Sequence, residues 1–259
     1  MLQLYAAWAV IYGFVFITGV CIGSFLNVLV YRIPAGISFA KGRSFCPSCN
    51  HQLKAADLVP ILSYAVLKGR CRYCKSRISI RYPLIELLGG AIAILCTVAL
   101  GFSWQAAAAF VVLCILLVIA LIDIDTMEIP DGLNIAMLVM APVWIWLSQD
   151  INIMRSVIGF FAVSVPMIVM NLIVQDSFGG GDIKLCAAAG LMLGWQNMLV
   201  AIMIALLTGG GYGIWLLASG SKGRKEHFAF GPFLVLGIAV ALLYGNELIS
   251  WYLGLFGLV

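Results

Sequence analysis

The sequence predicts an all-α polytopic membrane protein of about eight transmembrane helices, with one small polar loop domain. Three observations predict it. Of 259 residues, 63% are hydrophobic and only 10% charged, where a soluble domain carries roughly 25% charged residues. The mean hydropathy is +1.09, and a water-soluble core of this size would still need a polar exterior. The apolar residues fall in runs suited to crossing about 30 Å of hydrocarbon, with the basic residues gathered between them.

The first run, Leu4 to Tyr31, has no Lys or Arg before it and no A-x-A site after it. It is expected to remain as a first span and not to be removed as a signal. Further spans are predicted over Tyr82 to Leu100, Trp104 to Ile122, Leu133 to Leu147, Ser156 to Val174, Asn197 to Ala218 and Phe230 to about Leu255. Ile183 to Gly194 is too short to span unaided, so a short or tilted helix completed by its neighbours is expected there. Gly19/Gly23 and Gly209/Gly213 have the GxxxG spacing of closely packed helices. The Gly209–Gly211 run lacks the Lys and Ser/Thr of a phosphate loop.

Charge sets the orientation. The stretch from Arg32 to Arg81 holds ten of the fifteen Lys and Arg: Arg32, Lys41, Arg43, Lys54, Lys68, Arg70, Arg72, Lys75, Arg77 and Arg81. Basic loops stay in the cytoplasm, which puts the N-terminus outside. Threading the eight spans then brings Lys184, Lys222, Arg224 and Lys225 to the cytoplasmic side and leaves only Arg155 outside. The net charge of +4 is therefore a topology signal, and no nucleic-acid partner is expected. Asp123, closing the third span, and Asp182, opening the sixth, come to lie at similar depth on the cytoplasmic side.

The loop reads CPSCNHQLKAADLVPILSYAVLKGRCRYC over residues 46–74: Cys46-x2-Cys49, 21 residues, Cys71-x2-Cys74. Two such knuckles present four thiolates tetrahedrally to zinc. In a reducing compartment disulfides are disfavoured, so a structural zinc ribbon held by all four cysteines is expected, with His51 a polar loop residue outside the ligand set. Leu58 to Leu67 is too short to span, and either packs on the ribbon or lies at the membrane interface. The basic residues of this loop either touch anionic headgroups or only enforce topology. Cys21, Cys96, Cys114 and Cys186 stand singly in apolar runs and are expected to be packing residues.

Four of the eleven acidic residues crowd LIDIDTMEIPDGLN: Asp123, Asp125, Glu128 and Asp131. Glu128 and Asp131 read as polar-loop residues, Asp131 with a capping role. Asp123 follows an apolar run with no polar spacer, and an ionisable group at that depth is a functional candidate whose partner should be named. That partner is Asp182, delivered by SFGGGDIKL. On a continuing helix Asp125 would point about 200° away from Asp123. Two apposed carboxylates share a proton; one can deprotonate water while the other protonates a carbonyl oxygen, as in aspartic proteases. Gly179 and Gly181 are expected to permit φ > 0 and close approach of an extended peptide backbone. Neither His lies in a span, and no HExxH or G-x-S-x-G is present.

These residues resemble the type IV prepilin peptidases, membrane aspartyl proteases of the GxGD type. GSFLNVLVYRIP (23–34), the paired CxxC motifs around DLVPILSY, KGRCRYC, ISIRYPLIELL (78–88), LIDIDTMEIPD (121–131), GGGDIKL (179–185) and FGPFL (230–234) carry the resemblance. It covers nearly the whole chain. Ala229 stands where the family often has proline. The resemblance implies catalytic Asp123, seven residues before Pro130, and Asp182, with Gly179, Gly181, Asp125 and Pro130 in support. It implies cleavage of leaders from type IV prepilins and type II secretion pseudopilins, typically after a glycine, on the cytoplasmic side of the bacterial inner membrane. The four-cysteine loop further implies methylation of the new N-terminus with S-adenosylmethionine. The domain division it implies is a first transmembrane helix over 1–31, a cytoplasmic zinc domain linked to N-methylation over 32–81 and a peptidase core over 82–259. No Gly-rich dinucleotide fingerprint marks a methyl-donor site. Glu86 is open to two readings, a holder of the substrate amine or a snorkelling or hydrogen-bonded structural residue. Competing classes are a peptidase without methylation, a proton-coupled transporter using the same aspartates, and a docking factor built on the zinc loop. The transporter would call for midplane charges and an internal repeat, and neither is evident.

Overall fold

The computed structural model describes residues 1–38, 40, 42–148, 152–174, 177–219 and 228–257, without the side chains of residues 2–4. Lys41, Lys222, Arg224 and Lys225 of the orientation argument lie outside the described residues. Among those described, seven helices are long and apolar enough to cross a membrane, and no extended strand forms. The chain falls into two compact units, Met1–Val98 and Ala99–Val259.

The first unit contains α1 (Leu2–Arg32), a 3-10 turn (Ala55–Asp57), α2 (Leu62–Val66) and α3 (Arg81–Leu100). The expected GxxxG contact is made here. A Cβ on Gly19 would stand 2.5 Å from the Gly89 carbonyl oxygen, and one on Gly23 2.8 Å from that of Ile85. Small residues thus let α1 and α3 approach backbone to backbone, the main route to helix association in lipid. Arg32, buried at the end of α1, donates to the carbonyls of Ser38 (3.0 Å) and Arg43 (3.2 Å), so one guanidinium ties down the start of the loop. Tyr64 and Leu67 of the Leu58–Leu67 stretch are half-buried, while Leu62 and Val66 are exposed.

The second unit is built from α4 (Trp104–Thr126), α5 (Asp131–Ser148), α6 (Ile153–Ala162), α7 (Ser164–Ile173), α8 (Gly180–Ala218) and α9 (Gly231–Leu255). Ser103 caps α4 by accepting from the Ala106 N–H, and Met127 ends it in the left-handed conformation. The predicted Ser156–Val174 span is broken at Val163, between α6 and α7. Pro166 explains the break, because it cannot supply the N–H that the Ala162 carbonyl needs.

α8 is two helices joined at Gly194, whose φ of 77° and ψ of 164° are non-helical. Its 180–193 half runs beside α6 and α7: Asn171 bonds Phe178, Gly190 meets Gly159, and Gly194 lies against Arg155. Its 195–218 half runs beside α9 in the opposite sense, with Asn197 against Gly245, Ala201 against Gly237, and Gly209 against Phe230. The chain therefore reverses at Gly194, and the short predicted Ile183–Gly194 segment is a distinct helix of about 20 Å. Gly209 and Gly213 face the rings of Phe230, Phe233 and Phe228, so their small size serves aromatic packing.

Cys96, Cys114 and Cys186 are buried as packing residues, but Cys21 is exposed.

Candidate aspartate site and four-thiol centre

One end of the second unit gathers the C-terminus of α4 and the N-termini of α5, α8 and α9. Asp123, 5% exposed on the last turns of α4, accepts a 2.9 Å hydrogen bond at Oδ2 from the Gly231 N–H. Gly231 opens α9, and the first N–H groups of a helix have no partner within it, so they attract anions. The residue must be small, because a Cβ there would stand 2.5 Å from Asp123 Oδ2. Pro232 follows at a helix position where its missing N–H costs nothing. FGPFL, one of the motifs that carry the resemblance, thus supplies the donor that orients Asp123.

Asp182 sits in the first turn of α8, where the helix dipole favours a carboxylate. It lies close enough to Asp123 for the two charges to interact. Its Oδ1 is buried and has no hydrogen-bond partner among the described residues. Asn171 fixes the approach to this turn by a reciprocal pair of 2.8 Å bonds with Phe178, donating to its carbonyl and accepting from its N–H. The expected left-handed backbone at the glycines is not found. Gly179 is extended at φ −63°, and Gly180 and Gly181 begin the helix itself. The clearance they provide is local: a Cβ on Gly179 would lie 3.1 Å from Asp182 Oδ2, and one on Gly181 2.8 Å from Ile129 Cβ.

Asn134 on α5 donates to the Gly181 carbonyl at 3.5 Å, and its own Oδ1 is buried without a partner among the described residues. Pro130 precedes α5 and places Ile129 against Gly181. Asp125 is exposed, as is Glu128. Because α4 continues helically to Thr126, Asp125 projects from a different face than Asp123. Asp131 does not take the expected role of a preceding cap: it is the first residue of α5, and Lys184 donates to its Oδ1 at 2.6 Å on the surface.

In the first unit the Sγ atoms of Cys46, Cys49, Cys71 and Cys74 all lie within 4.8 Å of one another, and those of Cys46 and Cys74 are 3.9 Å apart. Tetrahedral zinc with about 2.3 Å bonds to sulfur spaces its ligands by roughly 3.8 Å, so the donor set fits that ion. The two knuckles repeat each other. The Cys46 N–H donates to the His51 carbonyl and that of Cys71 to the Ser76 carbonyl. Asn50 and Lys75 both turn through positive φ, and bridges Phe45↔Gln52 and Arg70↔Arg77 close the two loops. Burial alone would raise the Cys46 thiol, but the N–H groups of Cys49 and Ser48 and the thiols of Cys71 and Cys49 bring it down to about 6. The His51 N–H pulls Cys49 down, yet burial and its Cys74 and Cys46 neighbours leave it at about 11. Four thiolates cannot ionise together without a cation among them. His51 lies against Tyr73, with ring centroids 3.7 Å apart and the planes tilted by 35°, and is not one of the four clustered thiol residues. Asp57, with a side chain only 3% exposed, receives Arg72 Nε at 2.6 Å and the Tyr73 hydroxyl at 3.1 Å, which ties the 3-10 turn to the second knuckle.

Glu86 on α3 is buried. It accepts from Ser24 Oγ and from the Ile61 N–H, both at 2.7 Å.

The chain is similar to known proteins over most of its length. The family model described as the Bacterial Peptidase A24 N-terminal domain matches residues 17–100, and that of the Type IV leader peptidase family matches residues 110–214. The chain is 32% identical to a prepilin leader peptidase/N-methyltransferase of Aeromonas salmonicida (strain A449), covering 93% of this chain and 94% of that protein. It is 34% identical to one from Burkholderia pseudomallei (strain 1026b), covering 90% and 85%, and 33% identical to one from Bacillus subtilis (strain 168), covering 92% and 96%. No solved structure matches. The chain belongs to the type IV leader peptidase family.

Proposed function

We propose that this chain is a membrane-embedded aspartyl endopeptidase that removes the leader of type IV prepilins and pseudopilins, then methylates the new N-terminus with S-adenosylmethionine. Family membership supports prepilin cleavage and N-methylation, and the long apolar helices support a multi-pass protein of the inner membrane. The observation that carries the catalytic assignment is the meeting of Asp123 and Asp182 at one end of the second unit. Asp123 is oriented by the Gly231 N–H, and Asp182 Oδ1 is left without a donor among the described residues.

In this reading water binds between the carboxylates. One takes a proton from the water as its oxygen bonds to the scissile carbonyl carbon, and the other, protonated, gives its proton to the carbonyl oxygen. Collapse breaks the carbon–nitrogen bond: the proton held by the first carboxyl passes to the departing amine, and one hydroxyl proton of the intermediate returns to the second carboxylate, which restores the pair. The Gly231 N–H holds Asp123 in place through the cycle, so no reorientation is needed at the moment of reaction. Asp125, exposed on another face of α4, takes no part in the chemistry in this reading.

Cys46, Cys49, Cys71 and Cys74 would hold zinc. Four thiolates leave no open coordination position, so the ion would supply a cross-link for the loop and no Lewis acid. The Lys and Arg distribution supports an outside N-terminus, with the loop and both aspartates on the cytoplasmic side. The division into a first span, a loop domain linked to methylation and a transmembrane peptidase core is part of this proposal. Incubation of the purified chain with a full-length prepilin and labelled S-adenosylmethionine, followed by mass spectrometry, tests the reading. The expected product is a mature pilin cut at one junction and carrying one added methyl group. An intact prepilin would refute the peptidase, and a cut but unmethylated product would refute the second activity.

A further inference from the structure

A cavity of about 550 Å³ lies within the first unit, walled by α1, the loop and the start of α3. Small-ligand sites occupy roughly 300–1,000 Å³. Phe25, Tyr64 and Tyr82 line it with aromatic surface, and Glu86 contributes a carboxylate.

Glu86 is only 9% exposed. Both its oxygens accept hydrogen bonds, yet among the described residues no cation pairs with it. Buried carboxylates are ordinarily paired with a positive charge as well as hydrogen-bonded. Arg32 and Arg72, which also line the cavity, are engaged elsewhere, Arg32 by loop carbonyls and Arg72 by Asp57.

The second observation is the backbone that binds Glu86. Ile61 has φ 61° and ψ −51°, a conformation rare for any residue with a Cβ and rarer for a branched one. Its N–H is the donor to Glu86 Oε2. Strain of this kind persists where the surroundings over-determine it, and it clusters at ligand clamps and active sites.

The cavity therefore calls for a ligand with a cationic end and a flat aromatic body, of nucleoside size. S-adenosylmethionine has that chemistry, with its sulfonium and ammonium charges at one end and a purine at the other. We propose that this cavity is the methyl-donor site, with Glu86 receiving the donor's cationic end and the aromatic side chains its purine. Arg77 also lines the cavity and would take the donor's carboxylate. Cys46 and Cys71 form part of the same wall, so a metal held by the four thiols would shape this site without entering it.

This inference rests on the reading of the chain as a methyltransferase, and the test separates the two. Equilibrium binding of labelled S-adenosylmethionine is measured on the full-length chain in detergent, with thermal unfolding as the check on folding. Wild type is expected to bind. Glu86→Gln, which removes the charge, and Ser63→Trp, which fills the cavity, are each expected to weaken binding by about tenfold or more. Leu84→Trp, on an exposed face of α3 outside the cavity, is expected to leave binding unchanged. A competing arm adds a short peptide with an N-terminal phenylalanine, which should not displace the donor. If wild type methylates while both folded cavity variants bind the donor as wild type does, the site assignment falls and the methyltransferase reading stands. Displacement of the donor by the peptide from a Glu86-dependent site would equally overturn the assignment. A wild-type chain that neither binds the donor nor methylates would remove both.

Discussion

The four-thiol loop and the aspartate end are two chemically distinct centres, assembled in opposite ways. The loop brings its donors together within residues 46–74, each knuckle closed by its own backbone bonds and a positive-φ residue. The aspartate end draws on four separated segments: Asp123, the Ile129–Asn134 stretch, Gly179–Asp182 and Gly231. A soft-ligand metal site needs only short-range spacing, and the ion supplies the rest of its cohesion. A pair of carboxylates repels, so its geometry has to be imposed by helix ends and packing. The first centre should therefore be sensitive to ligand loss and the second to displacements of ångström size.

Four substitutions probe that contrast, in decreasing order of effect. Replacing Cys46 and Cys71 together by Ser should abolish metal binding and unfold the loop, because structural zinc contributes on the order of 10 kcal/mol in small metal-dependent folds. Elemental analysis reads this directly, and stoichiometric metal in the double variant would contradict the thiol set. Gly231→Ala should lower leader cleavage by roughly 10²-fold through displacement of Asp123, the typical cost of a 1 Å misplacement, with metal content unchanged. Asn171→Leu removes both bonds to Phe178 and should lower stability by about 1–3 kcal/mol, with a smaller loss of cleavage; thermal unfolding and a rate assay measure the two effects.

Asp57→Asn should destabilise the loop more modestly. Burial would raise the Asp57 carboxyl, but Arg72, the Lys54 N–H and Tyr73 hold it below its ordinary value. Its contribution is therefore present above the unfolded value of about 3.9 and lost as pH falls through the lower folded one. The stability gap between wild type and Asp57→Asn should close over that acid range. A gap unchanged by acid would mean that Asp57 acts through packing alone.

Much of this is legible in residue order because it depends on local pattern. The CxxC spacing, the apolar runs and the two aspartates at the ends of such runs are signals within a short window. The rest depends on long-range contact. Gly231 as the donor to Asp123 is invisible in FGPFL, since only the fold brings α9 against α4. The glycines before Asp182 suggest a left-handed turn, whereas they serve as an N-cap and as a contact with Ile129. Asn134 and Asn171 carry no signal, because an isolated Asn in an apolar run has no spacing to read. The break near Val163 does have one, in Pro166.

In the proposed mechanism Asp123 and Asp182 act as one unit, with Asp125 outside it. Leader cleavage by purified Asp123→Asn, Asp182→Asn and Asp125→Asn chains, measured side by side on one prepilin, tests it most directly. Removing an acid–base residue should cost about 10²–10⁴-fold in rate. Loss on that scale is expected in each of the first two variants, with the double variant little worse than either, while Asp125→Asn keeps most of its activity. Near wild-type cleavage by Asp123→Asn or Asp182→Asn, or loss confined to Asp125→Asn, would contradict the pairing.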